Sequence, residues 1–542
     1  MDNKCVFDKF GIMLDCSRNA VMKPEQIKRY IDVISRLGYN FLSIYTEDTY
    51  EIEGQPYFGH FRGRYTVEEL KYIDEYAKTK GVEVIPCIQT LAHLETIMRW
   101  ECYGKIHDCE DILLVDSEQT YELIDNMFAT ISKAFTSRTV NIGLDEANML
   151  GRGKYYDING ENDKVEVFLK HLSRVSEIAK KYGYNIIMWG DMFIRLLKSS
   201  SEFSMSAQDA SNLKIPEWVK NAIPENVRLI FWEYYTSDKT SYDRNIATYS
   251  AIKDDIWFAG GLWSWTGFAP HNLHTVNNTK SAFASCIENG VKDVMMTFWG
   301  NDGAECPKFS LLPSIFYVSQ IAHSITDEAT IKENFYKEFG IKYDDFIQLD
   351  LPQTCNCGAR VINAEKYFLY NDVFMGNFDT KVQSDDAQGF KKQYKILSRL
   401  DINNEYSYMF DTARELCNVL ALKTDIGLRV RKAYKEQNIE EMKLIAKNLD
   451  ELITRIKKLY SAFEKQWMLE NKPHGFEVQD IRFGGLMNRI SACKRRLLSF
   501  VNKEIDRIEE LEEEPLDANG YEKSEHRWYY DTWETMVSTN VM

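Results

Sequence analysis

The chain of 542 residues is short of several things, and each shortage narrows what it can do. Positive charge is scarce: 66 Lys and Arg stand against 82 Asp and Glu, a formal net charge of -16. Binding nucleic acid needs a clustered basic face to neutralise phosphates, so no nucleic-acid partner is expected. Long apolar runs are missing too. No stretch reaches 18 apolar residues, and MDNKCVFDKFGIMLD at the start has no basic segment leading into an apolar one. These absences predict a soluble, cytoplasmic chain with no membrane partner. The 11 cysteines are scattered singly, and their odd number without a disulfide-like framework points to reduced thiols. Cys355 and Cys357 form the closest pair, a weak metal signal without a second cluster. The nine histidines show no grouping at ligand spacing, so neither a metal nor a cofactor is expected. Repeats and low-complexity linkers are also lacking.

Hydrophobic residues make up 44% of the chain, enough for a real core, and the length suits two or three domains. Up to about residue 325, short apolar runs alternate with amphipathic stretches, the pattern of a parallel α/β fold. Eight runs stand out: 10–15, 41–46, 82–88, 140–145, 185–191, 227–235, 257–265 and 294–300. They are almost continuously apolar, as strands covered on both faces must be. Helical patterns fit 24–37, 67–80, 118–135, 162–182, 276–289 and 308–322, with weaker candidates at 192–198 and 216–222. Eight strands with helices between them predict a (β/α)8 barrel over 1–325. From 326 to 542 the strand pattern vanishes. Met442, Ile445, Leu449, Leu452, Ile456, Leu459 and Phe463 recur every three or four residues in one apolar stripe, and 404–435 and 479–511 read similarly. An α-helical C-terminal domain is predicted, and its long stripes point toward a homodimer. The acidic run EELEEE (509–514) reads as a solvated helix end.

Barrels of this kind carry their chemistry at the C-terminal ends of the strands. Those ends offer Asp15 and Arg18, Glu47 and Asp48, Gln89 and His93, Asp145 and Glu146, Trp189 and Asp191, Trp232 to Tyr235, Trp263 and Trp265, then Trp299, Asp302 and Glu305. Carboxylates and Arg bind hydroxyls in pairs, while indole rings stack on the C–H face of a pyranose, so the mixture suits a carbohydrate. Each residue also has a plainer reading. One Trp at a strand end is more often a packing cap, a lone His93 or Arg18 a structural partner, and Glu47-Asp48 a helix cap. Four successive strands ending in Trp outweigh the first of these. The string VNIGLDE outweighs the rest, because an acidic pair in a buried strand is costly without partners or a task. Neighbouring strand residues face opposite ways, so Asp145 and Glu146 serve one ligand only if the strand ends there.

These residues resemble family 20 glycoside hydrolases, the exo-β-N-acetylhexosaminidases, whose mark is an Asp-Glu pair ending the fourth barrel strand. IGLDEANMLGRGKY (142–155) is similar to the hexosaminidase D branch, as are MLDCSRNAVMK (13–23), YTEDTYEIEGQPYFGHFRGRYT (45–66), PCIQTLAHLE (86–95), FWGNDGAECP (298–307) and NKPHGFEVQDIRFGGLMNR (471–489). One departure stands out. Better-known members carry His-x-Gly-Gly-Asp-Glu, and here Asn141, Ile142, Gly143 and Leu144 precede the acids.

The resemblance implies removal of terminal β-linked GlcNAc or GalNAc from a glycan, with retention, by a substrate-assisted reaction through an oxazolinium-like intermediate. It casts Glu146 as general acid and then base, and Asp145 as the group that holds the acetamido N–H. Tyr234 or Tyr235 would bind the acetamido oxygen, and Arg18 with Glu305 the outer hydroxyls. Trp263, Trp299 and Trp189 would wall the sugar, while His93 would bind a hydroxyl or brace the acid. Two other readings remain open. One is a two-carboxylate glycosidase pairing Glu146 with Glu233 or Glu305 on a sugar without the acetamido group; the other is a sugar-binding protein without turnover.

Overall fold

The computed structural model describes residues 4–198, 213–354, 364–518, 520 and 538–540. Cys355 and Cys357 lie outside the described residues, as does the side chain of Asp302. The chain forms two compact units. The first comprises Met1–Leu262, Thr275–Trp299 and Ser314–Ile331, and the second Trp263–His274, Gly300–Pro313 and Lys332–Met542.

The first unit holds eight parallel strands, each hydrogen-bonded to the next and the last to the first, in a closed barrel. They are β1 Lys9–Asp15, β2 Phe41–Tyr45, β3 Glu83–Cys87, β4 Thr139–Asn141, β5 Asn185–Trp189, β6 Val227–Glu233, β7 Trp257–Gly261 and β8 Asp293–Phe298. All eight expected runs are strands. The helices Pro24–Arg36, Val67–Thr79, Glu118–Ala134 and Lys164–Lys181 fall where the periodicity puts them. Their boundaries have local causes: Pro24 begins the first, and Thr66 and Glu69 close a reciprocal capping box on the second. The helix Lys239–Ile252 between β6 and β7 escaped the sequence reading because its apolar face is weak.

Alternate strand residues fill the barrel interior. Met13, Phe41, Tyr45, Ile85, Cys87, Ile187, Trp189, Ile230, Trp257, Ala259 and Met295 form one buried cluster, with Trp232 and Trp299 packed against it. At about 1.5–3 kcal/mol per large apolar side chain withdrawn from water, this cluster holds the barrel shut. Gly11 belongs to the same arithmetic of space: a Cβ there would lie 2.4 Å from the Phe41 ring.

One strand is shorter than expected. The apolar run 140–145 predicts a strand up to Asp145, yet β4 stops at Asn141, and Gly143 and Leu144 take φ of +74° and +68°. An extended ladder cannot continue through left-handed residues. At this turn Gly143 lies against Gln89, whose Oε1 would be only 1.9 Å from a Cβ at position 143, so no side chain fits there.

The second unit is helical. Its longest helix, Ile439–Glu470, buries the whole expected stripe from Met442 to Phe463 against the helices Ser407–Lys423 and Phe476–Val501. The stripe is therefore covered within the chain and no longer argues for a homodimer. The run 404–435 divides into Ser407–Lys423 and Ile426–Lys435. The acidic run is more than a solvated end. Leu511 is buried, Glu509 and Glu510 each pair with Arg496 at 2.9 Å, and Tyr434 donates to Glu512 at 3.0 Å. Among the described residues, no helix is long and apolar enough to cross a membrane.

Candidate active site

The ends of β1, β2, β3 and β4 converge on one cluster of charges. After β4 the backbone turns sharply: Leu144 and Glu146 both take positive φ, +68° and +51°. L-residues with side chains pay for such angles with strain of about 1–3 kcal/mol, which persists only where surrounding contacts impose it. The outcome is that consecutive acids reach the same imidazole. His93 Nε2 lies 3.1 Å from Asp145 Oδ2 and 3.9 Å from Glu146 Oε2. His93 is itself left-handed, φ +57°, and its backbone N–H donates to Asp111 at 2.7 Å.

Electrostatics follow from this placement. Burial alone would drive the proton off His93, but the charge and the hydrogen bond of Asp145 together outweigh it and lift the ring to about 9. Burial in turn pushes the Asp145 carboxyl up, and the positive ring with the Gln89 amide more than compensates, leaving it below its ordinary value. Gln89 Nε2 donates to Asp145 Oδ1 at 2.9 Å and sits 3.0 Å from the Tyr45 hydroxyl. The Tyr45 hydroxyl in turn donates a hydrogen bond to Glu47 Oε1 at 2.9 Å. Glu47, left-handed at φ +39°, also holds Arg18 Nε at 3.0 Å, while Arg18 Nη1 reaches Asp15 Oδ2 at 3.1 Å. Although burial disfavours the charged guanidinium, Glu47 and Asp15 keep it well above its usual value, so Arg18 is always charged. Its plane lies 5.2 Å from the Tyr45 ring and 5.3 Å from that of Trp299.

A second set of contacts comes from β5 and the helix Asp191–Leu197. Asp191 Oδ2 accepts the Glu146 backbone N–H at 3.2 Å and Arg195 Nε at 3.0 Å. Arg195 Nη2 then reaches Glu146 Oε1 at 3.3 Å. Burial, reinforced by the Asp145 and Glu146 charges against the pull of Arg195, raises Asp191 to about 6. The Glu146 side chain is 44% exposed against 11% for Asp145, so the two acids differ in access to solvent. Aromatic groups line the same region. Trp299 Nε1 donates to the Tyr234 hydroxyl at 3.1 Å, and the Trp299 ring packs on Tyr45 at 4.9 Å and Trp189 at 5.8 Å.

Polar atoms of His93, Asp145 and Glu146 fall within 4.8 Å of one another, a spacing that could hold a metal. A metal there would have to displace the proton that Asp145 holds on the His93 ring.

Residues 7–238 match the catalytic domain of glycosyl hydrolase family 20, and residues 344–529 match the glycoside hydrolase 20C C-terminal domain. Together the two matches span well over half of the chain. The chain belongs to glycoside hydrolase family 20. Beta-hexosaminidase 3 of Arabidopsis thaliana is 26% identical over 235 residues, which are 41% of this chain and 42% of that protein. Hexosaminidase D of Bos taurus is 22% identical over 262 residues, 47% of this chain and 69% of that protein. This family 20 chain thus spans less than half the length of the plant relative. The chitobiase of Flavobacterium johnsoniae superposes with a TM-score of 0.47 at 14% identity, over 94% of this chain and 74% of that one.

Of the residues expected to form the family 20 site, Arg18, His93, Asp145, Glu146, Trp189, Tyr234 and Trp299 are linked through the contacts above. Tyr235 is 39% exposed, and its backbone N–H donates to Glu233 at 2.8 Å. Both tyrosines lie beyond the end of β6 at Glu233, and there Tyr234 is buried while Tyr235 is not. Trp263 and Glu305 belong to the second unit. Trp263 is buried there against Trp265, with ring centres 4.2 Å apart, and donates to Thr266 at 3.2 Å. Glu305 is buried between Lys366 at 2.9 Å and Arg482 at 2.8 Å. Arg195 and Tyr45 were not singled out from sequence. Arg195 could have been found as the i+4 partner of Asp191 on one helix face; Tyr45 looked like any core residue of β2.

Proposed function

We propose that the chain is an exo-acting β-N-acetylhexosaminidase that removes terminal β-linked GlcNAc or GalNAc with retention, using the substrate's own acetamido oxygen as nucleophile. The observation that carries this reading is the meeting of Asp145 and Glu146 at one imidazole, made possible by left-handed backbone at Leu144 and Glu146. In the proposal Asp145, held ionised by His93 and Gln89, accepts the acetamido N–H and offsets the positive charge that grows on the oxazolinium. Glu146, the more accessible acid, protonates the leaving oxygen and afterwards takes a proton from water. Arg195 and His93 flank the carboxylate left after that first transfer and keep it aimed for the second. Tyr234 offers its hydroxyl to the acetamido oxygen, Arg18 binds outer hydroxyls, and Trp189 with Trp299 wall the sugar. Placement in the cytoplasm is supported by the nine described cysteines, all free thiols.

A two-carboxylate route through Glu233 is less well supported, because Glu233 already accepts the Tyr235 N–H at its strand end. Side-by-side rates on p-nitrophenyl β-glycosides of GlcNAc, GalNAc, glucose and galactose test the proposal. Turnover should be confined to the two acetamido sugars and blocked by a thiazoline mimic of the intermediate. Comparable turnover of the glucoside or galactoside would refute it.

A further inference from the structure

One stretch of the family-like sequence, QPYFGHFRGRYT (55–66), has no part in the site described above. It forms the loop after β2, and with the loop after β3 it raises an aromatic pad on the face where barrel sites lie. Tyr57 and Phe61 are 45% and 76% exposed, and His60 and Trp100 are half-buried. The four rings form one contiguous surface: Tyr57 to Trp100 is 5.2 Å, His60 to Trp100 is 5.7 Å and His60 to Phe61 is 3.9 Å between centres.

The pad rests on a firmly tied loop. Arg62 reaches Asp48 and Asn19, each at 3.2 Å, and Tyr103 donates to Gln55 at 3.2 Å. Gly59 takes φ +63° where a Cβ would lie 2.1 Å from the Asp48 carbonyl oxygen, so the loop lies flat only with glycine there. A loop fixed this way while it holds large rings in water is organised for contact with something else. Both loops of the pad spring from strand ends that carry site residues. Trp100 follows His93 by seven residues across the short helix Glu95–Met98, a span that cannot exceed about 25 Å even if extended. The other loop begins at Glu47 and Asp48.

We infer that this pad is a leaving-group subsite that stacks a pyranose ring of the saccharide carrying the terminal amino sugar. The inference rests on the exo-hydrolase reading. In that reading the terminal sugar occupies the buried side of the acid pair, and the remainder of the glycan leaves past the solvent-facing Glu146. Flat rings interleaved with a phenol and an imidazole match a sugar, which has an apolar C–H face and a polar edge. The natural substrate is then an oligosaccharide or glycan rather than an amino sugar on a small aglycone.

The test compares kcat/KM on the β-linked GlcNAc trisaccharide with that on the methyl β-glycoside of GlcNAc, for the intact chain and for Phe61→Ala, Tyr57→Ala and the double variant. Both rings are exposed, and unchanged melting curves will show that the fold is intact. Loss of each ring should lower the trisaccharide value roughly three- to tenfold and leave the methyl glycoside within twofold. Equal losses on both substrates, or none on either, would overturn the subsite. So would a change from dimer to monomer in sedimentation with saccharide preference unaltered, since the pad would then be an interface. If the unsubstituted protein cleaves neither substrate, the hydrolase reading fails instead.

Discussion

Replacing His93 by Gln removes the positive partner of Asp145 and nothing else of comparable size. The folded ring is raised from 6.5 to about 9, a difference of about 2.5 pH units. At about 1.36 kcal/mol per unit, the protonated ring contributes about 3 kcal/mol to the folded state. The side chain is only 17% exposed, so solvent screening takes little from this figure. Because the folded value is the higher one, the contribution is complete below about pH 6.5, shrinks steadily above it and is gone beyond about pH 9. About 2 kcal/mol should remain at pH 7.5. Selective labelling of the nine histidines, with His93→Gln identifying the signal, reads the ring directly by NMR. The two units need not unfold together, so the ring titration is the primary measurement and melting the second. The melting gap between the two proteins should be several degrees at pH 6 and close by pH 9.5. A His93 midpoint at or below 6.5, or a gap constant from pH 6 to 9.5, would refute the charge pairing on which the site is built.

Glu146→Gln should lose about 10²–10⁴ in rate on substrates with poor leaving groups and far less on aryl glycosides of acidic phenols; equal losses would remove Glu146 as the acid. Arg195→Met strips the buried Asp191 of its cation. Since Asp191 titrates near 6, the variant should match the parent's stability in acid and fall behind by about 3 kcal/mol as pH rises to 8, and a pH-independent gap would contradict this. Gly143→Ala combines a φ of +74° with a clash on Gln89, so melting should drop and kcat/KM should fall at least about tenfold; full activity would mean Gln89 has no hold on Asp145. Tyr234→Phe should cost about a hundredfold in kcat while Tyr235→Phe stays within threefold, and the reverse order would exchange their roles.

The inventory of the site was legible because it lies at the ends of apolar runs, and the barrel topology assigns those ends to one face. Arg18, His93, Asp145, Glu146, Trp189, Tyr234 and Trp299 could all be named that way. Their mutual arrangement could not. Whether Asp145 and Glu146 face together depends on where β4 stops, and strand periodicity extends it to Asp145. Just past the stop, Gly143 packs against Gln89, 54 residues earlier, with no room for a side chain at the turn. The partnership of Arg195 with Glu146 is equally non-local, and no spacing rule reports it.

Legible from near neighbours along the chain are eight buried strands, most of the helices between them, the stripe of Ile439–Glu470 and the identity of the acids. Period and capping are local properties, and the hydrophobic effect acts on them without reference to distant partners. Only the tertiary structure decided which of those residues face one another. The left-handed turns at Glu47, His93, Leu144 and Glu146 run against the preference of each residue. They persist because packed neighbours from other strands supply more free energy than the strain removes.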